Sequence, residues 1–133
     1  MGLDMFLNGE KYFWSNDSDK TIKEDVLDGK SKELRVGYWR KHPDRHGFIV
    51  NEFANGEDNC QRIDLDTGDI EKIIKAVKEK TLPHTTGFFF GSSDWWDTEE
   101  NLSLTIKQLE GALAWMSTEE KGVSRSVFYK ASW

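Results

Sequence analysis

Hydrophobic and polar residues alternate in three parts of the chain, and a two-residue period is typical of β-strands. The first alternation begins at Leu3, and the Asn8-Gly9 pair after it predicts a tight hairpin with Lys11–Trp14 as its returning strand. The other two cover Glu33–Arg40 and Val123–Trp133. These segments predict a largely antiparallel sheet, because short turns join antiparallel neighbours.

Two shorter apolar segments add to the predicted strands, and a polar segment predicts a loop. Gly87–Gly91 is an apolar run between glycines, which predicts a strand buried on both faces. Cys60–Leu65 predicts a short strand. Ser15–Lys32 is polar and predicts a long loop with one helical turn around Glu24–Leu27.

About three helices are predicted from apolar residues spaced three and four apart and from capping residues at the ends. The strands and helices are interspersed without a regular βαβ rhythm, so we expect a single α+β domain over residues 1–133. The first helix is predicted to run from Pro43 to Asn55-Gly56, and the second from Asp66 or Thr67 to Pro83. The third is predicted to begin at a capping box of Asp97 and Glu100 and to end at Gly122.

Composition narrows the class of protein. The chain has 133 residues, 32% of them charged, and a net charge of −6, which excludes a membrane protein and a globally basic nucleic-acid binder. A lone cysteine, Cys60, suits a reducing compartment. Without a signal sequence or an apolar span of membrane length, the sequence predicts a cytoplasmic protein. Neither a metal ion nor a cofactor is expected.

Positive charge is concentrated in residues 35–45, where four cations outnumber one carboxylate. A predicted helix start follows this cluster, and both features favour an anion. Tyr38 and Trp39 lie beside it and could stack on a base. The alternative is a solvated strand end. The predicted phosphate contacts are Arg40, Lys41 and Arg45.

Two histidines in this region invite a catalytic or metal-binding interpretation. His42 and His46 are four residues apart, but no third metal ligand is fixed by the pattern, and hydrogen-bonding histidines are the commoner case. The His42-Pro43-Asp44 tripeptide lacks the preceding basic helix of a J-domain co-chaperone. No catalytic residue is therefore assigned, although His46 is kept among the ligand-binding candidates.

The segment from Gly91 to Asp97 leads from the predicted buried strand into a helix. Ser92 permits a close approach of the backbone, and the adjacent Trp95 and Trp96 must point to different sides. One of the two indoles could line a pocket or an interface, where tryptophan is enriched. The alternative is that both indoles pack on the following helix.

Four blocks in this order resemble a family of small proteins that bacteriophages and prophages encode, for which no activity is established. They are the start Met1–Phe6, Gly37–Lys41, Gly87–Ser92 and the ending Phe128–Trp133. The resemblance implies a phage accessory protein that acts in the host cytoplasm.

These observations lead to a hypothesis of a non-catalytic protein that captures a phosphorylated, nucleotide-like small molecule, such as a host immune signal. Long nucleic acids and membranes are not expected as partners, whereas a second copy of the chain is compatible with the sequence. Two alternatives stay open, namely a protein–protein inhibitor of a host enzyme and a small hydrolase that uses a histidine.

Overall fold

A computed structural model describes residues 3–13, 22–24, 27–29, 31–40, 42–82 and 98–133. Four strands form an antiparallel sheet in the order β4-β1-β6-β5, and the short strands β2 and β3 pair with each other. The predicted α+β class, with a largely antiparallel sheet and three helices, is confirmed. The strands are β1 (Asp4–Phe13), β2 (Ile22–Glu24), β3 (Leu27–Gly29), β4 (Ser31–Arg40), β5 (Ile63–Leu65) and β6 (Val123–Ser132), and the helices are α1 (Pro43–Phe53), α2 (Thr67–Glu79) and α3 (Glu99–Met116).

Strand β1 lies inside the sheet and pairs along its length with β4 on one side and β6 on the other. Its side chains alternate, so that Leu3, Met5 and Leu7 are buried in the main hydrophobic cluster. Helix residues such as Ile49, Ile73 and Leu109 complete that cluster, and Phe6 is not part of it. The described helices therefore cover one face of the sheet and leave the even-numbered residues of β1 on the opposite face, here called the open face.

The predicted hairpin at Asn8-Gly9 is wrong, because β1 continues through both residues to Phe13. Gly9 is required for packing rather than for a turn. A Cβ on Gly9 would lie 2.9 Å from the indole atoms Cη2 and Cζ3 of Trp115 on α3. The helical turn predicted around Glu24–Leu27 is also wrong, since Glu24 ends β2 and Leu27 begins β3. The predicted strand at 87–91 lies outside the described residues.

The helix ends follow local capping chemistry. At α2, the Asp66 carboxylate accepts from the backbone N–H of Asp69 at 2.7 Å, and Asp69 accepts in return from Asp66 at 3.0 Å. The cap of α3 is Thr98 rather than the predicted Asp97, because the Thr98 hydroxyl accepts from the N–H of Asn101. None of the described helices is long and apolar enough to cross a membrane.

Helix α1 ends close to where the sequence predicts. Asn55 and Gly56 both have positive φ angles, 53° and 79°. The Gly56 N–H donates to the carbonyl of Val50 at 3.0 Å, which is the left-handed exit that Asn-Gly favours.

We expect Gly9→Ala to destabilise the fold by about 1–3 kcal/mol, because the added methyl group would have to displace the Trp115 ring. Urea unfolding followed by circular dichroism measures the change. An unfolding midpoint equal to that of the wild type would show that Trp115 can move without cost.

Gly111 is the matched opposite case, because it is exposed within α3 and a Cβ there would meet nothing within 4 Å. Gly111→Ala should stabilise the protein by roughly 0.5–1 kcal/mol, since alanine removes the entropy cost of a helical glycine. The same urea titration tests it, and a lower midpoint would contradict the prediction.

Candidate functional site

The predicted site residues that the structure describes do not share one surface. Tyr38 and Trp39 are consecutive in β4, so their side chains point to opposite faces of the sheet. Tyr38 is 41% exposed on the open face, and Arg40 lies on that face with it. Trp39 is 1% exposed and lies in the core. Lys41, Ser92, Trp95 and Trp96 lie outside the described residues.

Trp39 is held from two sides within the core. Its indole Nε1 donates to the side-chain carbonyl of Gln108 on α3 at 2.8 Å. The guanidinium carbon of Arg45, which is fully buried on α1, lies 4.7 Å from the ring centroid. This cation–π contact joins α1 to β4. In this arrangement Trp39 offers no exposed ring to a ligand.

His46 is buried on α1 and makes polar contacts with two other parts of the chain. Its Nδ1 lies 2.6 Å from the hydroxyl of Tyr129 on β6, and its Nε2 lies 2.9 Å from Oδ1 of Asp58 in the loop between α1 and β5. The ring also meets the edge of Trp133, with centroids 5.6 Å apart. His46 therefore ties α1 to the end of β6 and to the 54–62 loop.

These contacts determine the protonation state of Tyr129. Burial raises the pKa of Tyr129 well above its ordinary value of 10.0, and the nearby Asp58 carboxylate raises it further, while Arg45 acts in the opposite direction. The hydroxyl thus keeps its proton. When His46 is neutral, Tyr129 donates to Nδ1 and Nε2–H donates to Asp58, which assigns the ring tautomer.

His42 has a local structural role. It is the N-cap of α1, where its Nδ1 accepts from the backbone N–H of Arg45 at 3.1 Å. Both ring nitrogens of His46 contact protein groups, and the residue is only 2% exposed. Because both histidines are almost completely buried, neither presents a ring nitrogen to a substrate on the surface, and the geometry does not favour the hydrolase alternative.

The open face carries an aromatic pair near the start of β1. The rings of Phe6 and Tyr38 are 5.4 Å apart and tilted by 44°. The Tyr38 hydroxyl donates to Oδ1 of Asp4 at 2.5 Å, and this bond is the main reason why the pKa of Tyr38 is raised. Tyr38 is therefore neutral and oriented, with an exposed ring.

Cations surround this pair. Arg35 lies over Phe6, with 4.6 Å from its guanidinium carbon to the ring centroid, and donates to the side chain of Asn8 at 3.1 Å. Lys130 lies directly across from Phe6 on β6 and is exposed. Arg40 forms an ion pair with Asp4 at 3.4 Å. Three cations against one carboxylate leave a formal charge of +2 at this end of the open face.

The opposite end of the open face is acidic. Glu10 and Glu33 are cross-strand partners there. Arg62 bonds to Glu10 at 3.4 Å and to Asp64 at 2.9 Å, and its guanidinium lies 3.9 Å from the ring centroid of Phe128. An anion on this face is therefore attracted to the Tyr38 end and repelled from the Glu33 end.

Sequence reasoning missed three members of this surface, namely Phe6, Arg35 and Lys130 as binding residues. Their sequence positions are far apart, and only the pairing of β1 with β4 and β6 brings them together. Signals were present for two of them, since Arg35 is one of the four cations in residues 35–45 and Phe6 breaks the polar side of the first alternation with an aromatic ring. Searches of protein families, curated proteins and solved structures find no match to this chain.

Removal of the Tyr129 hydroxyl tests the buried cluster. Tyr129→Phe should lower the free energy of unfolding at neutral pH by about 1–3 kcal/mol, because it leaves His46 Nδ1 without that hydroxyl. A raised pKa means that the folded state favours the protonated phenol. The contribution of the Tyr129 phenol to the free energy of unfolding is complete below about pH 10 and is lost as the pH rises from there towards the folded pKa.

Urea midpoints measured from about pH 7 to pH 11 should therefore fall less steeply at the alkaline end in Tyr129→Phe than in the wild type. Tyr12→Phe is the control, since Tyr12 is half exposed on the same sheet. Identical alkaline slopes in the wild type and Tyr129→Phe would contradict the assignment.

Proposed function

We propose that this protein is a phage-type accessory protein that binds a small phosphorylated, nucleotide-like molecule on the open face of its sheet and sequesters it from the host. The observation that carries the proposal is the row of Tyr38, Phe6 and Lys130 across three adjacent strands. It places an exposed ring and a cation on one surface, which are the groups that a base and a phosphate require.

The dimensions of this row suit one nucleotide. Neighbouring strands lie about 4.8 Å apart, so the distance from Tyr38 to Lys130 across β1 is about 10 Å. A base stacked on Tyr38 would have its phosphate near Lys130 or Arg35. The acidic end beyond Asn8 disfavours a long polyanion that crosses the whole sheet.

The fixed orientation of Tyr38 supports the same interpretation. Its hydroxyl is bound to Asp4, so the ring loses little rotational freedom when a base stacks on it. Asp4 also holds Arg40 beside the ring. This carboxylate positions two binding groups and keeps part of their charge neutralised until a phosphate competes for Arg40.

Calorimetric titration with a panel of cyclic dinucleotides, ADP-ribose derivatives and nucleoside mono- and diphosphates tests the proposal. At least one of these should bind, and its affinity should fall as salt is added, because phosphate contacts release counterions. No binding across the panel would contradict the proposed function and favour the protein–protein inhibitor.

For a ligand found in this way, Tyr38→Ala should weaken binding by roughly 5- to 150-fold, the equivalent of about 1–3 kcal/mol for one stacked base. Tyr38→Phe keeps the ring and should retain most of the affinity. Arg35→Gln and Arg40→Ala should each weaken binding and reduce its salt dependence.

Two exposed residues away from the row provide matched controls. Tyr12→Ala removes a similarly exposed tyrosine near the other end of β1, and Lys121→Gln removes an exposed cation before β6. Both should bind the ligand as the wild type does. Equal losses in Tyr12→Ala and Tyr38→Ala would place binding elsewhere.

A further inference from the structure

The outer side of the helix layer contains a groove between α2 and α3. The two helices run antiparallel, and Lys78 and Glu110 form an ion pair across them at 3.3 Å with each side chain about half exposed. The pair separates two cavities of about 380 and 550 Å³ along the same seam. This groove lies on the opposite side of the molecule from the open face.

The floor of the groove is apolar on both sides of the ion pair. Leu102 and Ile106 line the first cavity, and Leu113 and Ile74 line the second. Three of these side chains, those of Leu102, Ile106 and Leu113, are only partly buried. Partly exposed aliphatic side chains between charged rims are typical of a surface that contacts another protein.

The two halves of the rim have opposite net charge once the neutral Lys78–Glu110 pair is set aside. The rim of the first cavity contains Lys80, Lys107 and Glu99, whose formal charges sum to +1. The rim of the second cavity contains Lys75, Glu71 and Glu79, whose formal charges sum to −1. A two-fold axis that passes through the ion pair, in the plane of the surface and perpendicular to the seam, would place the positive half of one molecule on the negative half of the other.

We propose that this groove is a self-association surface and that its occupant is a second copy of the chain, related by that two-fold axis. The same rotation brings Leu102 and Ile106 of one copy over Leu113 and Ile74 of the other, so the apolar floors meet where the charges match. Such an isologous contact uses one patch twice and closes at a dimer.

The size of the surface sets the strength of the contact. Helix α2 has 13 residues and is about 20 Å long, and two helices side by side are about 20 Å wide. The interface then buries roughly 400 Å² per partner, which is below the range of stable complexes and fits a weak dimer. We expect dimers at protein concentrations of several hundred micromolar and fewer of them at high salt.

Single charge reversals test the geometry. Lys107→Glu changes the first half from +1 to −1, and Glu79→Lys changes the second half from −1 to +1. In either variant alone, like charges meet twice across the two-fold axis, so self-association measured by sedimentation equilibrium should weaken about tenfold. Both residues are exposed, and circular dichroism confirms the fold of each variant.

The decisive measurement mixes the two variants. In Lys107→Glu both halves of the groove have a net charge of −1, and in Glu79→Lys both have a net charge of +1. A one-to-one mixture should therefore form heterodimers at least as tightly as the wild type forms homodimers. Lys121→Glu and Glu119→Lys change the net charge equally but lie outside the groove, and they should dimerise like the wild type. A wild type that stays monomeric at about 0.5 mM, or a mixture that stays monomeric, overturns the proposal.

Discussion

The architecture depends on the pairing of β1 with a strand on each side. A strand inside a sheet cannot rotate about its axis, so each side chain is committed to one face. In β1, Met5 and Leu7 therefore lie on the face that the helices cover, and Phe6 lies on the open face. The hydrophobic core and the proposed ligand surface are consequently two sides of the same ten residues.

The same constraint explains which parts of the site could be predicted. Periodicity and capping chemistry were sufficient to predict the α+β class, the helix that follows Asp66 and the strands at both ends. Tyr38 and Trp39, both predicted to stack on a base, lie on opposite faces of the sheet, because neighbours in a strand face opposite ways. The partners of His46 lie 12 and 83 residues away along the sequence, and no local sequence pattern predicts contacts at such separations.

The failure at Asn8-Gly9 shows how tertiary packing overrides a local turn preference. Asn-Gly favours a tight turn when nothing else acts on it. Here Gly9 lies under Trp115, and the pairings with β4 and β6 continue past it. Packing of a large ring against bare backbone is a reason for glycine that composition and periodicity do not reveal.

Both Asn-Gly pairs of this chain have a consequence for its chemical ageing. Asparagine before glycine is prone to lose ammonia when the glycine nitrogen attacks the asparagine side chain and closes a succinimide ring. Gly56 donates its N–H to Val50, and Asn8 and Gly9 are held inside β1. Hydrogen bonding and sheet pairing restrict the rotation that this ring closure needs, so the folded protein should keep both asparagines intact far longer than the unfolded chain would.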